Sequence, residues 1–304
     1  MRRRAGRSGA LSQIVVLATI AVVLGLLVFP KRVPEHSPRR PAMLPTGEPV
    51  RTTEHALIPT PAPSAFPIAS PQASLEPAAE PTGTPALPQV AIIIDDCGQW
   101  PGIERGYIGL PIALTMSVMP HVRYTAAIAE AAAAAGKGVM LHLPMEPLSH
   151  INPGAGKITT AMSDAQIVAQ TQDDLAQVPL AKGVNNHEGS AASADARVMR
   201  DVIGVVKEHD LFFVDSMTNA ASVAAQTARS GGVPTASRDV FLDNREDVSY
   251  SESMLERAVQ IAKERGSAIA IGHPRATTLA ALANMYPKMQ SEGVRFVLVS
   301  ELVR

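Results

Sequence analysis

The chain of 304 residues is poor in the features that identify several large functional classes. It has a single cysteine, Cys97, so an intrachain disulfide is impossible, and only 4% of its residues are aromatic. The net charge is −1, and no basic stretch is interleaved with aromatic residues, so there is no electrostatic case for nucleic-acid binding. No Gly-rich phosphate loop or dinucleotide fingerprint follows any apolar run. These absences exclude a disulfide framework and disfavour a nucleotide-binding or nucleic-acid-binding function.

The lone thiol is also a poor candidate nucleophile. Cys97 follows Asp95 and Asp96 directly, and their negative charge should raise the pKa of the thiol. We therefore expect Cys97 to be a small buried residue beneath a site.

The N-terminal 29 residues have the composition of a membrane anchor. Residues 1–9 carry four arginines and no acid, and residues 10–29 are uncharged and almost wholly apolar. Roughly twenty such residues match the thickness of the hydrocarbon layer. The basic flank predicts a cytoplasmic stub over 1–9, a single-pass anchor over 10–29 in the inner (cytoplasmic) membrane, and a periplasmic or otherwise extracytoplasmic remainder. A cleaved signal peptide is the rival interpretation, but no small-x-small site precedes Pro30.

Residues 30–88 are rich in Pro, Ala, Ser and Thr and show no periodic apolar face. Such a composition cannot bury enough surface to offset the entropy of the chain. We predict a disordered, extended linker that carries a folded domain, residues 89–304, away from the membrane.

From Gln89 onward, short apolar runs alternate with segments of helical pattern. This alternation predicts seven or eight parallel strands joined by helical crossovers, hence a barrel or a doubly wound sheet. The predicted strands are 90–94, 112–118, 138–143, 183–186, 211–214, 235–238, 267–271 and 295–299. The predicted helices are 124–135, 163–178, 194–209, 220–229, 251–265 and 277–291.

Polar side chains follow six of these strands, where the ligand sites of parallel α/β sheets lie. They are Asp95 and Asp96, His142 with Glu146, Asn185 to Ser190 including His187, Asp215 with Ser216, Arg238 with Asp243, and His273. A protein selected for packing alone has no reason to place such groups at one rim. Each residue also has a structural alternative: the aspartates could form a solvated turn, each histidine could be satisfied locally, and Asp215 could pair with Arg238.

Carboxylate and imidazole together are the ligands of zinc or a similar divalent ion with an open coordination position. Such an ion generates a nucleophile from water without a Ser or Cys. One aspartate of the adjacent pair could then bind the metal while its neighbour acts as a base, and a separate histidine could protonate the leaving group.

The motifs resemble those of the NodB-homology polysaccharide deacetylases, and particularly their divergent branch. The resemblance covers about Gln89 to the C-terminus and rests on five stretches, 92–98, 143–147, 183–190, 213–216 and 270–274. It implies a distorted (β/α) barrel and metal-dependent hydrolysis of acetyl groups on a carbohydrate. It also implies that Asp95 is the general base, Asp96 a metal ligand and His273 the general acid.

The sequence departs from the family at two motifs. The pair of histidines after the third strand is replaced by His142 and Glu146, and no Arg-Pro pair follows the fourth strand. From its position we expect His187 to complete a metal set of Asp96, His142 and His187, and we add Asp215 and Arg238 to the candidate catalytic residues.

The sequence therefore favours a membrane-anchored, metal-dependent carbohydrate deacetylase, with zinc as the favoured metal and an envelope polysaccharide or oligosaccharide as its partner. The alternative is a catalytically silent deacetylase fold that binds envelope glycan or scaffolds envelope proteins. A third hypothesis is a hydrolase of a different acyl or glycosidic bond. For a glycosidase, however, two adjacent carboxylates can hardly supply the ~5–9.5 Å separation that the reaction uses.

Overall fold

The computed structural model describes residues 87–304. The predicted cytoplasmic stub, the predicted anchor and nearly all of the predicted linker lie outside this range. Within residues 87–304, no helix combines the length and the apolar character that a membrane crossing requires.

Strands and helices alternate along most of the described chain. The strands are β1 (Gln89–Cys97), β2 (Thr115–Val118), β3 (Gly138–Met145), β4 (Gly183–Glu188), β5 (Phe212–Asp215), β6 (Thr235–Ser237), β7 (Val240–Phe241), β8 (Ser267–Gly272) and β9 (Arg295–Val297). The helices are α1 (Pro101–Ile108), α2 (Thr125–Ala134), α3 (Asp164–Gln177), α4 (Ala196–Glu208), α5 (Ala224–Ser230), α6 (Val248–Arg265) and α7 (Ala276–Ser291), with short 3₁₀ turns at Ala192–Ala194 and Val299–Glu301.

All the strand pairs are parallel, in the order β6-β5-β4-β3-β2-β1-β8-β7, and β9 pairs with the first residues of β1. The two ends of this order are neighbours in the chain, because only Arg238 and Asp239 separate β6 from β7. Arg238 N donates to Asp215 O of β5, and Asp239 N donates to Ile269 O of β8. The sheet thus curls into a parallel-strand α/β half-barrel, consistent with the predicted (β/α) barrel.

The two faces of the sheet bury different apolar clusters. In β1, Ile92 and Ile94 pack in the large cluster beneath the helices, whereas Ala91 and Ile93 belong to a smaller cluster on the inner face. Each isoleucine is fully buried, which stabilises the fold by roughly 1.5–3 kcal/mol per side chain. The inner cluster also contains Met140, Val214 and Ile271.

The inner face changes from apolar to polar along the strands. Because strand side chains alternate between faces, the residue two positions after an inner-face residue is on the same face. The inner residues Ile93, Met140, Val214 and Ile271 are followed two positions later by Asp95, His142, Ser216 and His273. A dry interior therefore supports a polar rim at the carboxyl ends of the strands.

The structure also contains elements that the apolar pattern did not predict. Helix α1 begins with Pro101 at its first turn and buries only Glu104 and Tyr107, so its sequence lacks a clear apolar stripe. Strand β7 has only two residues, too few for a periodic signal. The second strand begins at Thr115, not at the predicted Ile112.

Candidate metal and catalytic site

A β-bulge brings the two adjacent aspartates to one side of the sheet. In the pairing of β1 with β2, Ile94 is opposite Met116 and Cys97 is opposite Val118, so Asp95 and Asp96 face the single residue Ser117. Asp96 adopts φ = 57°, a left-handed conformation that Asp tolerates better than most residues. Bulges redirect side chains in this way, and both carboxylates line one cavity of about 320 Å³.

The two candidate histidine ligands come from neighbouring strands. The register of β3 and β4 places His142 opposite Asn185 and Pro144 opposite His187. Since Asn185 and His187 are two residues apart, both share the inner face with His142. His142 is 2% exposed, so it forms the floor of the cavity, while His187 is half-buried above it.

Asp96, His142 and His187 form a compact triangle, which we call the rim cluster. Asp96 Oδ1 lies 3.2 Å from His142 Nε2 and 2.8 Å from His187 Nδ1, and the two nitrogens are 3.1 Å apart. Ligand atoms held ~2.0–2.1 Å from a shared ion necessarily lie about 3 Å from one another.

A buried oxygen without a hydrogen-bond partner also indicates that the rim cluster fits a metal ion. Among residues 87–304, Asp96 Oδ1 has no hydrogen-bond partner of acceptable geometry, although both imidazoles are close. Burial disfavours the ionised form of Asp96, but the neighbouring imidazoles outweigh this and hold the pKa of the carboxyl below its ordinary value. An ionised, unpaired carboxylate oxygen facing two ring nitrogens fits a divalent cation.

The amide of Asn185 fixes the orientation of His142. Asn185 Nδ2 donates to Asp95 Oδ1 over 2.9 Å, which directs Asn185 Oδ1 toward His142 Nδ1, also at 2.9 Å. Because an amide oxygen only accepts, His142 must present Nδ1–H to it, which leaves the lone pair of Nε2 facing the rim cluster. Ser117 and Ser216 complete the bonds of the amide.

Burial and neighbouring charges perturb His142 and Asp95 in the same direction. Burial lowers the pKa of His142, but the charges of Asp95 and Asp96 outweigh it and raise that pKa above its ordinary value. The negative potential responsible would equally attract a cation. Desolvation raises the pKa of Asp95 despite the opposing charges of His142 and His273. Asp95 Oδ2 lies 3.7 Å from His142 Nε2, so Asp95 is a neighbour of the rim cluster and available for proton transfer.

His273 lines the same cavity and is held in its protonated form by a buried carboxylate. Its Nδ1 lies 2.8 Å from Asp243 Oδ1, and its backbone N–H donates to Asp243 Oδ2 over 2.7 Å. Burial lowers the pKa of His273, but the hydrogen bond and charge of Asp243 raise it to about 9. With Nδ1–H engaged by Asp243, the remaining N–H of His273 is free to donate elsewhere.

Asp215 and Arg238 occupy supporting positions outside the lining of this cavity. Phe213 packs in the large apolar cluster beneath the helices, so Asp215, two residues later, is on the helix-facing side of β5. Its carboxylate accepts hydrogen bonds from Met217 N and Ser222 Oγ. Arg238 donates from Nε to Ser216 O and from Nη2 to Met217 O, and its guanidinium lies 3.6 Å from the centroid of the Phe241 ring. Both hold the end of β5 in place, and their catalytic role stays a prediction.

Glu146 and Cys97 are each engaged in local packing. Glu146 Oε2 accepts from Thr160 N and Thr160 Oγ1, which ties down the segment after β3. Cys97 is fully buried, as expected, and burial together with the charge of Glu104 raises the pKa of its thiol.

The sequence placed three further polar residues at the strand ends without predicting what they bind. Asn185 and Ser216 orient Asp95 and His142, and Asp243 bonds directly to His273. The position of Asn185 could have been predicted, because it lies two residues before His187 and residues at this spacing share one face of a strand. Nothing in the sequence pairs Asp243 with His273, which lies 30 residues away.

The half-barrel with acids and imidazoles at the carboxyl rim defines a deacetylase-like α/β fold. The sequence profile of the family described as "Divergent polysaccharide deacetylase" matches residues 92–303. The chain belongs to this family, as the motifs indicated.

The chain is similar to two curated relatives and, in fold, to one solved structure. The chain is 34% identical over 197 residues to an uncharacterized protein of Haemophilus influenzae, covering 65% of this chain and 70% of that one. It is 33% identical over 197 residues to the uncharacterized protein YibQ of Escherichia coli, covering 65% of this chain and 62% of YibQ. The crystal structure of the uncharacterized protein ATU2773 from Agrobacterium tumefaciens superposes with a TM-score of 0.68 at 22% identity, covering 74% of this chain and 93% of that one. The structural similarity to ATU2773 establishes the fold.

Proposed function

We propose that this protein is a metal-dependent hydrolase that removes acetyl groups from an envelope carbohydrate. The observation that carries the proposal is the rim cluster, in which the ligand atoms of Asp96, His142 and His187 lie 2.8–3.2 Å apart at the floor of an open cavity. The imidazole missing from the second motif of the family is supplied here by His187 of the next strand.

Asp96 Oδ1, His142 Nε2 and His187 Nδ1 would hold the ion, with zinc favoured by the mixture of nitrogen and oxygen ligands. A divalent ion at such a site polarises a carbonyl oxygen and lowers the pKa of water. Asn185 contributes by accepting Nδ1–H of His142, so that in the neutral ring the lone pair is on Nε2 and faces the site.

Asp95 and His273 divide the proton transfers. Desolvation raises the proton affinity of Asp95, which suits a base that takes a proton from the attacking water. His273, with its pKa raised to about 9, is protonated at neutral pH and donates a proton to the leaving amine or alcohol. Asp243 fixes the imidazole and compensates its charge.

We also place the protein in the inner membrane, anchored by residues 10–29, with residues 89–304 on the periplasmic side. This rests on the basic residues 1–9 and the uncharged apolar segment that follows. A fusion of alkaline phosphatase to the C-terminus should be active in membrane fractions, whereas activity confined to the soluble cytoplasmic fraction would contradict this placement.

Acetate release from an N-acetylated oligosaccharide tests the function directly. The purified full chain should release acetate, lose this activity on chelation and regain it when zinc is restored. Asp95→Asn should retain bound metal but lose turnover, whereas Asp164→Asn, a change on the exposed face of α3, should behave as wild type.

The same assay separates the alternative of a silent glycan-binding fold. That alternative predicts saturable binding of the oligosaccharide with no acetate release from the wild type at any metal loading. Such a result would overturn the hydrolase proposal.

A further inference from the structure

Beside the catalytic cavity lies a second and larger one, of about 660 Å³. Asp96, His273 and Arg275 line both cavities, so the two adjoin. The acetyl group that the proposed reaction removes needs only the smaller one. The larger cavity is of the size that protein pockets use for whole ligands.

One wall of this groove is an exposed aromatic side chain on a fixed loop. Trp100 is 50% exposed, unusual for a residue of its size, and Tyr124 also lines the groove. The loop is held by the fully buried Glu104, whose Oε1 accepts from the backbone N–H of Gly98, Gln99 and Trp100. The indole is thus presented to solvent without the freedom of a mobile loop, which lowers the entropy lost when a ring stacks on it.

The other wall carries an arginine with unused donors. Arg275 Nη1 donates to Asp243 O, and no carboxylate lies within salt-bridge distance of this guanidinium in residues 87–304. Tyr107 Oη lies 3.0 Å from His273 O and 2.8 Å from Arg275 O, so helix α1 supports this wall as well as the Trp100 wall.

The charge of the groove favours an anion. Of its charged lining residues, Asp96 is committed to the rim cluster and His273 is paired with Asp243, so Arg275 is the charge available to a ligand. Arg123, whose guanidinium lies 5.4 Å from the centroid of the Tyr124 ring, adds a further positive charge near this lining residue. A guanidinium with free donors binds a carboxylate through paired hydrogen bonds.

We propose that this groove is a subsite for a second sugar that carries a carboxylate, stacked on Trp100 and bound through that carboxylate by Arg275. The inference rests on the proposed function, because it places the second sugar next to the N-acetylated residue whose acetyl group enters the catalytic cavity. It narrows the substrate class to N-acetylated glycans with acidic sugars.

Fluorescence titration of the full chain tests the subsite without requiring turnover, since Trp100 is the only tryptophan. The probes are neutral chitotetraose, the tetrasaccharide of alternating N-acetylglucosamine and N-acetylmuramic acid, and the hyaluronan tetrasaccharide, whose carboxylates belong to glucuronic acid. The two acidic probes distinguish a lactyl carboxylate from a uronic one. At least one of them should shift Trp100 emission and bind about 10- to 100-fold more tightly than chitotetraose, as expected for hydrogen bonds to a charged group.

Matched variants assign the effect to residues. Arg275→Gln should remove the preference for the acidic probe while still binding chitotetraose, which shows that the variant is folded. Arg257→Gln, an exposed arginine of α6, should keep the preference. In calorimetry, Trp100→Ala should weaken the acidic and the neutral probe alike, by about 10-fold.

Equal affinity for the acidic and neutral probes, an unchanged preference in Arg275→Gln, or constant Trp100 emission with every probe would overturn the subsite. Acetate measured in the same samples separates the two proposals. Turnover without an acidic preference removes the subsite alone, and acidic preference without turnover removes the hydrolase alone.

Discussion

Two clusters in the described domain bring three imidazole and carboxylate groups to similar distances, and they differ in how these groups are supported and ionised. The rim cluster is Asp96, His142 and His187. The second, which we call the outer cluster, is His121, Asp173 and Asp174. In the outer cluster, His121 Nε2 lies 2.9 Å from Asp174 Oδ1 and 3.2 Å from Asp173 Oδ2, distances as short as those of the rim cluster.

The supports of the two clusters are different. The rim cluster draws its ligands from three strands, and Asn185 orients one of them. In the outer cluster the two carboxylates are consecutive on α3, with Asp174 buried and with Asp173 and His121 exposed. Consecutive residues of a helix do not face the same direction.

The ionisation of the carboxylates separates the clusters further. The pKa of Asp96 is held below its ordinary value, so its oxygen is charged and ready to bind a cation. Burial raises the pKa of Asp174 to about 7, against the opposing effect of His121 and Gln170. A carboxyl that keeps its proton near neutral pH is a poor metal ligand, so the comparison supports the proposed metal site at the rim cluster over one at the outer cluster.

The largest expected effect is the loss of a rim carboxylate. Asp96→Ala should abolish acetate release and weaken metal binding by more than about 100-fold. Losing a residue that only supports a metal ligand weakens binding by up to about 100-fold, and losing the ligand itself should weaken it further. Asp173→Ala in the outer cluster is the control and should change neither quantity. If both substitutions reduce metal affinity equally, the distinction between the clusters fails.

The proton donor comes next in magnitude. His273→Gln should lower kcat by about 10²–10⁴-fold, the usual contribution of general acid–base catalysis, and leave the bound metal in place. Steady-state acetate release and elemental analysis of the same preparation measure the two effects. Concerted loss of metal and activity would show that His273 belongs to the ligand set.

Removing the support of His142 should have an intermediate effect. Asn185→Ala leaves His142 Nδ1 and Asp95 Oδ1 without their shared partner. Metal affinity, measured by competition with a chromophoric chelator, should fall about 10- to 100-fold. Asn284→Ala on the exposed face of α7 should bind metal like the wild type, and an equal affinity in the two variants would contradict the role assigned to Asn185.

The smallest effect concerns the outer cluster and appears in stability. Because the folded-state pKa of Asp174 is raised above its ordinary value, the folded state binds this proton more tightly than the unfolded state, and the resulting stability is lost as pH rises toward and through about 7. In Asp174→Asn, the thermal midpoint should fall less between pH 5 and 8 than in the wild type. The difference should be a few degrees, since ~1 kcal/mol shifts the midpoint of a domain of this size by about 2–4 °C. If the thermal midpoints of the two proteins changed equally with pH, the stabilising role of the Asp174 proton would be contradicted.

The sequence was informative where its periodicity was strong. The apolar runs predicted the parallel α/β class and most strands, and the strand ends predicted that Asp95, Asp96, His142, His187 and His273 converge. The motif resemblance predicted the family, and the profile match confirms it.

The remaining features depend on long-range geometry that a linear pattern does not contain. The bulge that brings Asp95 and Asp96 to one cavity is a mismatch between β1 and β2, visible only once the strands are paired. In β5, Asp215 points toward the helices and Ser216 points toward the inner face, and this alternation depends on the face of the sheet on which Phe213 packs. Residues 1–86 lie outside the described range, so the anchor, its orientation and the linker stay predictions.

The most direct test of the central claim is the metal content of the full chain, purified without chelators and loaded with zinc, beside His187→Ala and His121→Ala. The assignment predicts one equivalent of tightly bound metal in the wild type and in His121→Ala, and its loss in His187→Ala. Retention of the metal in His187→Ala together with its loss in His121→Ala would contradict the account, because the ion would then belong to the outer cluster.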